Sequence, residues 1–135
     1  MIRQVLFGDK GWDEAKAALD AGTLRQRVIA SNIANAATPG YQAKEVVFEE
    51  LLQNEKSRLP VTRTQPGHLA AAATPTVPRP QVRPRGGEAD ESGVNDVSVE
   101  REMTDLTENT IHFQALSLLL ANQYKEVRDA IRPGA

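Results

Sequence analysis

The chain has 135 residues, about the length of one domain, and contains one Trp, two Tyr and three Phe. Its formal charge of -2 provides no basic surface for nucleic acid, and the lack of cysteine excludes disulfides and thiolate metal sites. The longest strongly apolar run, Leu116 to Ala121, is far shorter than the roughly 20 residues of a membrane span. Met1 to Phe7 lacks the hydrophobic core of a cleavable secretory signal, so we expect any export to use another route.

The first predicted element is a long helix from about Asp13 to Ala36, a stretch with no proline and one interior glycine, Gly22. Apolar residues recur in it at helical spacing and form a broad face built largely of small side chains. That face consists of two neighbouring stripes, one with Ala17, Ala21, Leu24 and Val28, the other with Leu19, Ile29 and Ile33. Because small residues permit close approach, this helix is the natural partner for a second long helix.

A turn at Thr38-Pro39-Gly40-Tyr41 is predicted to end the helix, because a residue before proline is pushed out of the α region. Pro39 fits the second position of a type II turn, and Gly40 supplies the positive φ that its third position demands. We expect Asn32 and Asn35 to bond loose carbonyl groups around this turn. Residues 41–52 are predicted to be extended at first and then to enter a short helix at Phe48.

The middle of the chain, residues 58–94, holds six of the eight prolines. Their density over residues 77–85 argues against a helix or a central strand and favours polyproline II or an open loop. Arg79, Arg83 and Arg85 make this stretch locally basic. Two interpretations stay open, an arm that contacts a neighbouring molecule and a solvated linker. We take 1–57, 58–94 and 95–135 as the three parts of the chain.

The last third predicts a second long helix, from Val97 to Arg132. Apolar or small residues recur there every three or four positions, at Val99, Met103, Leu106, Thr110, Phe113, Ser117, Leu120, Tyr124, Val127 and Ile131. A seven-residue repeat kept this long is typical of a helix that lies along another helix in a coiled coil. Asp96 or Ser98 is positioned to cap its start. At ~1.5 Å per residue the helix is on the order of 50 Å long, so it needs a partner.

These patterns predict a mainly α fold with long N- and C-terminal helices paired as a coiled coil and an extended or irregular Pro-rich middle segment. We call the residues expected to join the helices and the subunits the assembly seam. It comprises Leu24, Val28, Ile29, Ile33, Val99, Met103, Leu106, Phe113, Leu120, Tyr124, Val127 and Ile131.

No set of residues predicts catalysis. His68 and His112 have no second ligand or nucleophile at a useful spacing, and Ser31 lacks the glycine elbow of a hydrolase nucleophile. Four acidic residues lie near the start of the second long helix, where negative charge is favoured by the positive end of the helix dipole, and we interpret them as part of a solvated face. They are Glu100, Glu102, Asp105 and Glu108. We therefore expect no enzyme activity, no cofactor and no metal.

The segment Ser31 to Tyr41, with the sequence SNIANAATPGY, resembles the N-terminal signature of the bacterial flagellar rod and hook axial proteins. The motif residues are Ser31, Asn32, Ala34, Asn35, Thr38, Pro39, Gly40 and Tyr41. The C-terminal stretch Val97 to Met103, followed by Asn109 and residues 113–115, is similar to the basal-body rod proteins among them. Gln42 and Ala37 depart from the usual pattern without affecting the helix or the turn. The two matches cover roughly half of the chain.

The resemblance implies a structural subunit of the flagellar basal-body rod, a hollow helical assembly that transmits torque. It also implies a periplasmic location and export from the cytoplasm by the flagellar type III apparatus without a cleavable signal. The implied partners are copies of the chain itself, other rod subunits such as FlgC, the adaptor FliE and the MS-ring protein. The alternative is a non-flagellar coiled-coil adaptor or secretion chaperone, which would not require the SNIANAATPGY turn.

Overall fold

The computed structural model describes residues 9–57, 77–86 and 95–131, and the fold is mainly α. Three helices and two short strands follow one another along these residues. In chain order they are α1 (Asp9–Ala34), β1 (Lys44–Val47), α2 (Glu49–Ser57), β2 (Gln81–Pro84) and α3 (Val99–Ile131). The predictions for His68 and for the prolines at 60, 66 and 75 concern residues outside these ranges.

The two long helices pack side by side and run in opposite directions. At one end of the pair the rings of Trp12 and Tyr124 meet edge to face with centroids 4.8 Å apart. At the other end Asn32 contacts Glu102. Midway, a Cβ added at Gly22 would lie 3.3 Å from Cδ2 of Phe113, so the absence of a side chain lets the helices approach closely.

The first helix ends at Ala34, two residues before the predicted end, and begins four residues before the predicted start. The chain then tightens, with the amide of Thr38 donating to the carbonyl of Asn35 at 2.9 Å. The amide of Tyr41 donates to the carbonyl of Thr38 at 3.3 Å, and Gly40 has a φ of 72°. The positive φ at Gly40 and a closed turn at this place agree with the prediction.

The strands β1 and β2 form an antiparallel ribbon in which Lys44 pairs with Pro84 and Val46 with Val82. The prediction of polyproline II or open loop was wrong for Gln81–Pro84. The amide of Arg85 donates to the carbonyl of Ala43 at 2.7 Å, which places the ladder hydrogen bonds on the odd-numbered residues of both strands. The nitrogen of Pro84 therefore points away from β1, where its missing hydrogen costs no bond.

The short helix α2 confirms the predicted helical stretch after Phe48. It lies along α1 in the opposite direction, since Arg25 bonds Glu49 and Glu14 bonds Lys56, each at 2.8 Å.

The apolar core is small and is centred where α1 meets the ribbon. Its buried members are Ala21, Val28, Ile29, Ala43, Val46, Phe48, Val97 and Leu120.

The second long helix, α3, agrees with its predicted bounds to within two residues at each end. Much of its apolar surface remains exposed, including Ile111 at 60% and Leu118 at 65% of their accessible area. Within residues 9–57, 77–86 and 95–131, no helix is both long enough and apolar enough to cross a membrane.

Candidate functional site

Asn32, near the end of α1, binds the edge of the β-ribbon. Its Nδ2 donates to the carbonyl of Lys44 at 2.8 Å, and its Oδ1 accepts from the amide of Lys44 at 3.0 Å. Lys44 faces Pro84 in a pair without ladder bonds, so both of its backbone groups point away from β2. The side-chain amide of Asn32 thus takes the place of a neighbouring strand.

The same Asn32 side chain extends this contact to α3 and to the turn. Its Nδ2 also donates to Oε2 of Glu102 at 3.1 Å, and the hydroxyl of Tyr41 donates to its Oδ1 at 3.2 Å. The prediction of a solvated acidic face was wrong for Glu102, whose exposure is 0%. Asn32 itself is equally buried.

Arg85, directly after β2, neutralises the buried carboxylate. Its Nη1 donates to Oε1 of Glu102 at 2.6 Å, and its Nη2 donates to Oδ2 of Asp105 at 3.2 Å. Arg83 donates from Nε to Oε1 of Glu45 at 2.7 Å. Two of the three arginines in the basic stretch are therefore paired within the chain, which neither the linker nor the arm interpretation predicted.

Asn95 and Asp96, just before α3, fasten the turn and the ribbon to this helix. The Nδ2 of Asn95 donates to the carbonyls of Asn35, Ala36 and Thr38 at 3.2, 2.7 and 3.1 Å. Oδ1 of Asp96 accepts from the amide of Ala43 at 2.6 Å. Asp96 is therefore engaged away from the helix start, and Ser98 is the residue whose Oγ approaches the first turn, 3.5 Å from the amide of Arg101.

These contacts define the junction, the place where α1, the turn, the ribbon and α3 meet. Its members are Asn32, Tyr41, Lys44, Arg85, Asn95, Asp96 and Glu102. Sequence reasoning singled out Asn32 and Tyr41 as motif residues but missed the network, because its other members lie 12 to 70 positions away along the chain. The polar Asn95-Asp96 pair ahead of the heptad region was the signal that could have indicated part of it.

The remaining motif residues surround the turn. Nδ2 of Asn35 donates to the carbonyl of Ser31 at 2.8 Å, as expected for a group that satisfies a helix end. The same expectation was wrong for Asn32, whose Nδ2 bonds Lys44 and Glu102 instead. Oγ1 of Thr38 donates to Oδ1 of Asn35 at 3.3 Å, and Oγ of Ser31 lies 3.3 Å from the hydroxyl oxygen of Tyr41. Ala34 ends α1, and Pro39 and Gly40 are exposed. The motif thus builds a hydrogen-bonded helix end next to the junction.

The structure divides the assembly seam into a covered part and an exposed part. Val28, Ile29 and Leu120 are buried, and Leu24, Ile33 and Leu106 are half-buried. Phe113 lies against Gly22 and retains 37% exposure. The exposed members are Val99, Met103, Tyr124, Val127 and Ile131, at 45% to 74%. The buried polar residues Glu102, Asn109 and Gln123 also face inward on α3, and the heptad assignment omitted them.

A cleft of about 380 Å³ lies beside the junction, between α1, β1 and α3. Val28, Ile29 and Val46 contribute its apolar lining, and the charged lining includes Arg25 and Glu49. Burial raises the pKa of Glu49, but the hydrogen bonds and the positive charge of Arg25 outweigh it, so the pKa is lowered overall. In the described part of the chain, no group of His, Asp or Glu is arranged to hold a metal ion.

The class of protein follows from a match to a known family. Residues 15–42, which span most of α1 and the turn, match the family model described as flagella basal body rod protein. This is a family of structural proteins of the flagellum rather than a family of enzymes.

Whole-chain relatives agree. The flagellar basal body rod protein FlgB of Bacillus subtilis is 33% identical over 117 residues, covering 87% of this chain and 89% of that protein. FlgB of Escherichia coli is 32% identical over 124 residues with the same coverage, and FlgB of Agrobacterium fabrum is 38% identical over 85 residues, covering 61% and 63%. The chain therefore belongs to the flagellar basal body rod protein family and, within it, is most like FlgB.

Proposed function

We propose that the chain is an axial subunit of the flagellar basal-body rod, which assembles through its paired terminal helices into a hollow helical rod that transmits torque. The similarity to FlgB over most of the chain supports the rod, and the exposed surface of α3 supports the mode of assembly. The antiparallel packing of α1 on α3 supports a coiled-coil pair as the assembling unit.

The observation that carries the proposal is the apolar character of α3 on more than one side. Between residues 111 and 121, α1 covers the side that holds Leu120, while Ile111, Leu118 and Leu119 remain exposed at 60%, 65% and 49%. A helix that is apolar on all sides is normally buried on all sides. Exposed apolar residues grouped on one long helix thus mark a surface for further helices of neighbouring subunits.

The proposed partners are copies of the chain itself, other rod subunits including FlgC, the adaptor FliE and the MS-ring protein. The proposed location is the periplasmic part of the basal body, reached through the flagellar type III export apparatus without a cleavable signal. The family membership supports each of these. The alternative of a non-flagellar adaptor or secretion chaperone gains no support from the relatives.

The experiment replaces Leu118 by Asp in the bacterium that makes the protein. Leu118 is the most exposed of Ile111, Leu118 and Leu119, at 65%, so of these three it should contribute least to the stability of the monomer. We expect motility to be lost and the chain to be absent from purified basal bodies, because a carboxylate at a helix interface remains unpaired. The circular dichroism of the purified monomer should be unchanged.

The matched control is Thr104→Asp, which places the same charge at an exposed polar position of α3. Thr104→Asp should assemble and swim normally. Normal basal bodies with Leu118→Asp would show that this surface does not join subunits. Loss of assembly with both variants would show a general sensitivity of α3 to charge instead.

A further inference from the structure

We propose that three prolines before and within β2 keep its outer edge from pairing with a second copy of the chain. We call Pro78, Pro80 and Pro84 the edge prolines. The outer edge is the side of β2 that points away from β1. This role of the prolines concerns the ribbon alone and holds whether or not the chain builds a rod.

The backbone groups of β2 alternate between its two edges. Odd-numbered residues point toward β1, since the amide of Arg85 donates to the carbonyl of Ala43 at 2.7 Å. Even-numbered residues point outward, so Val82 directs both its N–H and its C=O away from β1. In the part of the chain that the structure describes, no group bonds the backbone of Val82, and this residue keeps 45% exposure. Such an edge is a template for another strand.

All three prolines of residues 77–86 occupy even positions. Residues 77–80 run into β2 without a turn or bend, which continues the outward alternation back to Pro78. Since proline has no N–H, the edge prolines offer only carbonyl groups to a neighbour. Gly86, with a φ of 62°, ends the extended stretch on the other side. Val82 is therefore the only outward donor between the first and the last edge proline.

The missing donors remove most of the bonds that a second copy would make. In the symmetric antiparallel arrangement Val82 faces its counterpart, and Pro84 faces Pro80 of the second copy. Three such pairs make two hydrogen bonds each in an ordinary ladder, and four of these six need an N–H from position 80 or 84. A shift along the edge does not avoid this, because positions 78, 80 and 82 also include two prolines. Carbonyls that face a proline lose water without gaining a donor, which penalises the pairing.

The test restores the missing donors. Pro80→Thr and Pro84→Thr are combined in the full chain, which gives the outer edge of β2 an N–H at every even position from 80 to 84. Hydrogen exchange of the Val82 amide is followed by NMR over a range of protein concentrations, together with sedimentation velocity. This amide lies at the centre of the expected pairing. Association through the exposed apolar side chains of α3 does not use it, so the measurement separates the two surfaces.

In the unsubstituted chain we expect the Val82 amide to exchange rapidly at every concentration. In the double variant its exchange should slow as the concentration rises. Self-association should strengthen at least about tenfold, because each restored backbone bond contributes a factor of about 2 to 10. Pro80→Thr alone and Pro84→Thr alone each restore two of the four bonds and should fall between.

The matched control combines Arg79→Thr with Gln81→Thr. It adds the same residue type to the same segment, but at odd positions, where no outward donor is gained. This control should behave like the unsubstituted chain.

Four results would overturn the proposal. Slow exchange of the Val82 amide in the unsubstituted chain would show that the edge is already covered. Unchanged exchange in the double variant would show that the prolines exclude no partner. Equal association of the control would assign the effect to threonine rather than to restored donors. Fast exchange of the Arg85 amide in the double variant would show that the prolines form β2 instead of closing its edge, since this amide bonds β1 at Ala43.

Discussion

Arg85→Met tests the junction most directly, because it removes the positive partner of a carboxylate that has no access to solvent. Glu102 has a side-chain exposure of 0% and Arg85 of 16%. Removal of one member of a buried ion pair typically costs about 3–5 kcal/mol. We take about 3 kcal/mol here, because Asn32 still donates to Glu102 and because the remaining exposure at Arg85 allows water to approach.

The assay is thermal unfolding of the purified chain followed by circular dichroism. A loss of about 3 kcal/mol corresponds to a fall of roughly 10 to 20 °C in the melting temperature. The control is Arg83→Met, since Arg83 pairs with Glu45 but keeps 55% side-chain exposure. Exposed ion pairs contribute about 0–1 kcal/mol, so this variant should melt within a few degrees of the unsubstituted chain.

A second variant separates loss of the pair from loss of packing. Arg85→Met combined with Glu102→Met removes both charges and leaves apolar side chains of similar length. We expect most of the lost stability to return, because replacement of a whole buried pair by apolar residues is often neutral. The reasoning is refuted if Arg85→Met melts like Arg83→Met, or if the double variant is as unstable as Arg85→Met alone.

Three further predictions concern the turn, the helix contact and α2. Gly40→Val should cost about 1–2 kcal/mol in urea unfolding, since the φ of 72° disfavours a branched side chain while the surrounding space is open; a neutral effect would contradict this. Gly22→Leu should lower the free energy of unfolding more than Gly22→Ala does, because even a Cβ there would lie 3.3 Å from Phe113. Equal unfolding midpoints for the two variants would contradict this prediction. Arg25 lowers the pKa of Glu49, so Arg25→Leu should lose a little stability at neutral pH. The difference in stability from the unsubstituted chain should shrink as Glu49 is protonated in acid. A difference that does not change with pH would contradict this prediction.

The long helices were predictable because their signals are local. The heptad pattern of α3 runs through the whole element, so its bounds were predicted to within two residues. The turn was likewise predictable, because the ring of Pro39 restricts φ and the missing side chain of Gly40 permits the positive φ that the turn needs. Such features need no knowledge of what lies elsewhere in the chain.

The ribbon and the buried charge were not predictable, because each depends on a distant partner. Residues 81–84 become a strand only because Lys44–Val47 pair with them, and proline density alone argues for a loop. Glu102 resembles its exposed acidic neighbours in sequence, and only the approach of Asn32 and Arg85 explains its burial. Side-chain spacing along one helix does not carry that information.

The junction satisfies the polar groups at one end of the helix pair, while apolar side chains remain exposed at the other end. Asn32, Asn95 and Asp96 place their hydrogen bonds within the turn, the ribbon and the start of α3, so that end is satisfied internally. From residue 124 to 129, by contrast, every position of α3 is exposed, and Tyr124 and Val127 keep 55% and 49% of their surface in solvent. Polar groups already bonded within the chain are stabilised little by a neighbouring molecule, whereas the burial of exposed apolar surface against a neighbour is favourable. We therefore propose that neighbouring subunits contact the exposed apolar side chains of α3, which include Val99 and Met103 beside the junction and extend to Tyr124 and Val127 in its C-terminal half.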